Sequence, residues 1–152
     1  MSLCVERADP RGPEASALLR QSQALMKSLF PPEDNYFLDI DALAAPHIAF
    51  FAARDGAATL GTGALADMGD YGEVKSMFVA EPARGRGVGV ALLARIEAEA
   101  RARALPALKL ETGDRLAAAH RLYAGAGFVA CARFGDYPES AGSSLFMEKV
   151  LA

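Results

Sequence analysis

The chain has 152 residues, 52% of them hydrophobic, with 16 Lys and Arg against 19 Asp and Glu for a formal charge of −3. That length and balance suit one globular domain, residues 1–152, which can build a core without staples. The small acidic excess gives no general attraction for nucleic acid or an anionic membrane, both of which reward basic charge.

Leu3 to Arg7 reads as a short first strand. After Asp9-Pro10, apolar residues recur at helical spacing at Leu18, Leu25 and Leu29, with Leu19 and Met26 beside them and Ser22 as the gap, until Pro31-Pro32 stops the helix. A short second helix is expected from Asp39, capped by Asp39 or Asp41 and running through Leu43. His47 to Ala53 is a buried strand, Asp55-Gly56 a hairpin turn, and Thr59 to Ala66 its partner. Glu73 to Val79 is a further strand, followed by a loop from Ala80 to Arg86.

From Gly87 a strong helix begins, with Val88, Leu92, Ile96 and Ala100 in one stripe and Glu97, Glu99, Arg101 and Arg103 on the wet side. Ala107 to Thr112 is a strand, and Asp114 to Ala124 a helix that ends near Gly125 or Gly127. Two strands, Phe128 to Phe134 and Ser144 to Val150, close the chain around a loop from Gly135 to Gly142. The predicted fold is α/β: a mixed, mostly antiparallel sheet of about seven strands flanked by about four helices.

Cys4 and Cys131 lack CxxC spacing or a nearby histidine pair, so no metal site or disulfide framework is expected. The N-terminus lacks the basic start and apolar run of a secretory signal, and no stretch approaches the ~20 apolar residues of a membrane span. A cytoplasmic location follows as the expectation.

The chemistry concentrates at Arg84-Gly85-Arg86-Gly87-Val88-Gly89-Val90, where a strand-to-helix loop carries three glycines at alternate positions. Missing side chains let backbone N–H groups approach a ligand, and a helix N-terminus adds unpaired donors and about half a positive charge. With Arg84 and Arg86 beside it, the loop is an anion site of diphosphate size. No Gly-Lys-Ser/Thr follows, and position 92 is Leu92, so neither the nucleotide P-loop nor the dinucleotide fingerprint fits.

Arg84-x-x-Gly87-x-Gly89 resembles the coenzyme A motif of the GNAT (Gcn5-related N-acetyltransferase) superfamily. Leu122-Tyr123-Ala124-Gly125-Ala126-Gly127-Phe128 resembles its second signature, Leu-Tyr-x-x-x-Gly-Phe. Leu110-Glu111-Thr112-Gly113 and Phe146-Met147-Glu148-Lys149 are also similar to small bacterial members, and the element order matches along nearly the whole chain. The resemblance implies the acyl-CoA N-acyltransferase fold and acetyl-CoA as cosubstrate. It implies coenzyme binding by Met77, Phe78 and Val79 on a bulged, splayed strand, and by Arg84, Gly85, Arg86, Gly87, Val88, Gly89 and Val90. An unpaired amide of Phe78 or Val79 would then polarise the acetyl carbonyl.

Tyr123 matches the superfamily's acid, a phenol that can protonate the departing thiolate. Glu73 stands eleven positions before Arg84, the offset of the general base in histone-acetylating members. Where many relatives carry Asn or Gln seven positions before the tyrosine, this chain has Leu116, so one pantetheine contact is missing or passes to another group such as Thr112. The acceptor site would lie between the first helices and the last loop, with Tyr36 and Tyr137 covering an apolar part and Asp136, Glu33, Asp34 and Glu139 attracting a cation. The expected activity is direct transfer of acetyl to a small-molecule amine, in a possible homodimer. Acetylation of protein lysines or N-termini, a non-catalytic acyl-CoA sensor, and a nucleotide-binding domain are the alternatives.

Overall fold

The computed structural model describes residues 2–139 and 142–151, so Met1, Ala152 and the loop positions Ser140 and Ala141 lie outside the described residues. Seven strands form one sheet: β1 (Leu3–Arg7), β2 (Ile48–Asp55), β3 (Ala58–Asp67), β4 (Gly72–Val79), β5 (Ala107–Gly113), β6 (Val129–Ala130) and β7 (Ser144–Val150). Their spatial order is β1-β2-β3-β4-β5-β7-β6, antiparallel throughout except for β4 beside β5. Three α-helices accompany it among the described residues: α1 (Pro13–Leu29), α2 (Val88–Ala102) and α3 (Ala117–Gly125).

The strand β2 explains why two helical layers are needed, because it is buried on both faces from Ile48 through Ala53. Alternation sends Ile48 and Phe50 to one side, where they pack with Ala15 and Leu19 of α1. Ala49, Phe51 and Ala53 go to the other side, against Val88, Leu92 and Ile96 of α2. Pro13 opens α1, where its lacking N–H costs nothing, and Phe30 ends it before Pro31-Pro32. No helix among the described residues is long and apolar enough to cross a membrane.

Two elements differ from expectation. The second helix is a single 3₁₀ turn, Ala42–Ala44, held by Asp39, whose carboxylate accepts from the Ala42 N–H at 2.7 Å. The strand expected over 128–134 pairs only at Val129 and Ala130, with one more bond from Cys131 N–H to the Phe146 carbonyl at 2.9 Å. Beyond it the chain leaves the edge because Phe134 turns inward, its ring 5.5–5.6 Å from those of Tyr71 and Phe146. Aromatic burial outweighs further ladder bonds there.

Gly113, at the end of β5, abuts the far end of the buried Phe30 ring, and a Cβ there would collide with Phe30 Cζ. Gly113→Ala must displace that ring, a core overpacking that costs about 1–3 kcal/mol. A lowered urea midpoint with an unchanged slope is the expected readout.

Candidate active site

The backbone of β4 carries the decisive irregularity. Ser76 has φ +56°, and the register between β3 and β4 slips between Thr62 and Ala64, so that Ser76 and Met77 together face Gly63. This is a β-bulge, pinned by the Thr62 hydroxyl donating to the Ser76 carbonyl at 2.9 Å. A Cβ on Gly63 would come within 2.7 Å of Met77 Sδ, so glycine is what lets the bulge fit. On its other edge, β4 pairs with β5 only at Gly72 with Leu108 and at Glu73 with Lys109, so the two strands have already parted where the bulge begins.

Strand alternation then fixes which peptide groups face the gap. Ala80 N–H donates to Leu60 of β3 at 2.8 Å, so Ala80 and, two back, Phe78 turn their peptide groups toward β3. Met77 and Val79 turn theirs toward the open side. Arg84 Nε donates to the Val79 carbonyl at 3.3 Å from that side.

A cleft of about 520 Å³ fills the gap, lined by Met77, Phe78 and Val79, the loop from Arg84, the first turn of α2, and the start of α3. Gly85 and Gly87 hold φ +77° and +83°, left-handed values that bend the loop directly into α2. Gly87 is the N-cap, leaving the N–H groups of Val88, Gly89 and Val90 without helical acceptors. Gly89 also lets α3 approach, since a Cβ there would meet Leu122 Cδ2 at 2.9 Å.

The C-terminal end of α3 fixes Tyr123. Phe128 N–H donates to the Tyr123 carbonyl at 3.0 Å and Gly127 N–H to Ala124 at 3.1 Å, with Gly127 at φ +97°. That is a Schellman motif, and its accompanying apolar contact is the Phe128 ring, 5.9 Å from the ring of Tyr123. Tyr123 is buried, yet it lines the cleft and an adjoining smaller pocket alike. Burial, with the charge of Glu111 behind it, pushes its phenol well above the ordinary value. The group therefore carries its proton at neutral pH.

The second pocket, about 130 Å³, shares Tyr123, Met77, Leu116 and Ala119 with the cleft. Phe30, Tyr36 and Phe37 give it aromatic walls, and Asp34, Lys75 and Glu111 are its charged lining. Burial pushes the Glu111 carboxyl above the usual carboxylate range, and the Ser144 hydroxyl at 2.6 Å and the Lys75 charge offset this only in part. Glu73 is buried and engaged. Its Oε2 accepts from the Tyr137 hydroxyl at 2.5 Å and from Lys75 Nζ at 3.4 Å. Burial and that carboxylate push the Tyr137 phenol far up as well.

The acetyltransferase (GNAT) family model matches residues 17–128. The chain belongs to the GNAT acetyltransferase family. It is an acetyl-CoA-dependent N-acetyltransferase. Across 99% of both chains it is 42% identical to a protein of Azospirillum brasilense named IAA acetyltransferase. It is also 34% identical to the uncharacterized N-acetyltransferase YsnE of Bacillus subtilis, over 94% of this chain and 96% of that one. Among solved structures, PaiA N-acetyltransferase from Thermoplasma acidophilum, in complex with coenzyme A, superposes with a TM-score of 0.77 at 15% identity. That match covers 99% of this chain and all of the other, and it shows the shared fold.

The acetyltransferase thus brings most of the residues singled out in its sequence to one place. Met77, Phe78, Val79, Arg84, Gly85, Gly87, Val88, Gly89, Val90 and Tyr123 all line the cleft. Arg86 faces Asp55, 3.7 Å away. Of the acceptor residues, Tyr36 lines the pocket, Tyr137 binds Glu73 and Lys75 behind it, and Asp136 is exposed. Leu116 lines both cavities, with no amide to offer. His120 is structural, its Nε2–H donating to the Gly113 carbonyl at 2.8 Å. Glu111 is the residue that sequence reasoning passed over; its signal was alternation, which puts it on the face of Lys109, beside Glu73. Gly87→Val forces a β-branched residue to φ +83° and turns the loop's N–H groups aside. Calorimetry should show coenzyme A binding at least about tenfold weaker, near 1.4 kcal/mol.

Proposed function

We propose that the protein moves an acetyl group from acetyl-CoA directly to the amine of a small molecule, with no acetyl-enzyme. The observation that carries this reading is the meeting of the two cavities at Met77 and Tyr123, one lined by an anion loop and the other by the carboxylates of Asp34 and Glu111. The loop from Arg84 to Val90 holds the pyrophosphate by its backbone donors and the helix dipole. The pantetheine arm runs in the gap beside β4, against the peptide groups of Val79 and Met77. The thioester then reaches the junction.

Glu111 is the base in this reading, in place of Glu73. Its carboxylate lines the acceptor pocket with Oε2 held by Ser144, whereas Glu73 is already tied to Lys75 and Tyr137. An alkylammonium of pKa about 10.4 must lose a proton before it can attack. Glu111 takes that proton and passes it to solvent, and the amine nitrogen bonds to the carbonyl carbon. The Met77 N–H at the junction faces the resulting oxyanion, where one aimed donor supplies about 3–4 kcal/mol. As the C–S bond breaks, Tyr123 protonates the thiolate and recovers a proton from the nitrogen. Overall the ammonium loses two protons, one to solvent and one to the thiol.

Two experiments test the scheme. Intact-mass analysis of the enzyme mixed with acetyl-CoA should find no acetylated protein on the turnover timescale; a kinetically competent adduct overturns direct transfer. In the pH profile of kcat/KM, activity falls below a limb displaced upward from the ordinary carboxylate range, because protonated Glu111 cannot accept a proton. Glu111→Gln should lower kcat by about 10²–10⁴-fold and abolish that limb. If Glu73→Gln abolishes it and Glu111→Gln does not, the base is Glu73.

A further inference from the structure

The acceptor pocket's lining restricts its occupant in size and in charge. At about 130 Å³ it is close to the volume, about 150 Å³, of an apolar cavity that admits benzene, and Phe30, Tyr36 and Phe37 supply apolar walls. Three charged side chains line it. Lys75 is the cation among them, and an ammonium has three donors. All three have partners: the Tyr36 carbonyl at 3.3 Å, the Tyr137 hydroxyl at 3.0 Å and Glu73 Oε2 at 3.4 Å. Its charge is matched by a buried carboxylate, and its hydrogen bonds join two walls of the pocket.

What remains to meet a ligand is negative. Asp34 and Glu111 are each fixed through one oxygen by consecutive serines, Ser143 at 2.8 Å and Ser144 at 2.6 Å. Among the described residues, no hydrogen bond or ion pair engages the second oxygen of either carboxylate. The nearby cations lie elsewhere: Arg115 lines the coenzyme cleft and donates to the Leu29 carbonyl, and exposed Lys27 stands 6.0 Å from the Phe37 ring.

We propose that the acceptor is a compact, largely apolar primary amine with no carboxylate beside its nitrogen. The proposal rests on the acetyl-transfer reading above and adds a substrate class to it. An ammonium entering the pocket meets Asp34 and Glu111 and packs its hydrocarbon on the rings. An amino acid of the same shape brings a carboxylate against those two like charges, a juxtaposition that desolvation makes costly. It can find a counter-charge only by pulling Lys75 from Tyr36 and Tyr137.

Matched pairs test this with the purified full chain and acetyl-CoA, following release of free thiol: phenethylamine against phenylalanine, and isoamylamine against leucine. In each pair kcat/KM for the amine should exceed that for the amino acid at least about tenfold. A ratio below tenfold overturns the proposal and leaves acetyl transfer to small amines standing. If no member of either pair releases thiol although calorimetry shows acetyl-CoA bound, the small-amine reading fails and this proposal falls with it. Asp34→Asn should shrink the ratio severalfold, because it relieves the repulsion of the carboxylate. A purely structural Asp34 would lower both rates together, and an unmoved ratio counts against the proposal.

Discussion

The candidate active site depends on one interruption in a backbone ladder. A parallel strand pair normally continues its hydrogen bonds to the ends, since buried peptide groups left without partners are costly. Here β4 leaves β5 after two paired positions and then bulges at Ser76, so the peptide groups of Met77 and Val79 turn to a side where no strand pairs with them. In the proposed reading pantetheine, with amides of its own, would complete the ladder that the neighbouring strand abandons. Gly63 and Thr62 on β3 make the bulge possible, one by leaving room for Met77 and the other by binding the Ser76 carbonyl.

The same parting of strands sorts the charged residues. Glu73 and Lys109 lie where β4 and β5 still pair, Lys75 and Glu111 where they have separated. The first carboxylate is therefore enclosed and tied to Lys75 and Tyr137, and the second opens on a pocket with only Ser144 on one oxygen. Two glutamates on one sheet face acquire different chemistry from the width of the gap beside them. Burial raises the proton affinity of Glu111 and Tyr123 alike, which makes the carboxylate a better proton acceptor and keeps the phenol protonated at neutral pH.

How much of this could be read from the chain follows the distance over which each feature is encoded. The loop from Arg84 to Gly89 and the run from Leu122 to Phe128 are local: glycine at left-handed φ, a helix end and an aromatic partner are set by a few adjacent residues. Both were legible, as were nearly all strand boundaries, because β2 is a continuous apolar run and α2 carries clean helical periodicity. The proposed base was not legible in the same way. The difference between Glu73 and Glu111 depends on pairings across β3, β4, β5 and β7, and on a loop that returns Tyr137 to the sheet. The short β6 was also hidden, since Phe134 leaves the edge to meet rings from Tyr71 and Phe146, far away in sequence.

With only two paired positions at its seam, the sheet consists of two leaves, β1 to β4 and β5, β7 and β6. Side-chain packing of Leu108 and Leu110 with Val74, Ile96 and Ala100 is what sets the leaves together. The coenzyme cleft is walled by β4 and α2 from one leaf and by α3 from the other. A cofactor lodged there acts as mortar between bricks, and mass action makes the folded chain sturdier whenever it is loaded. A chain loaded with acyl carrier would then resist unfolding better than an empty one.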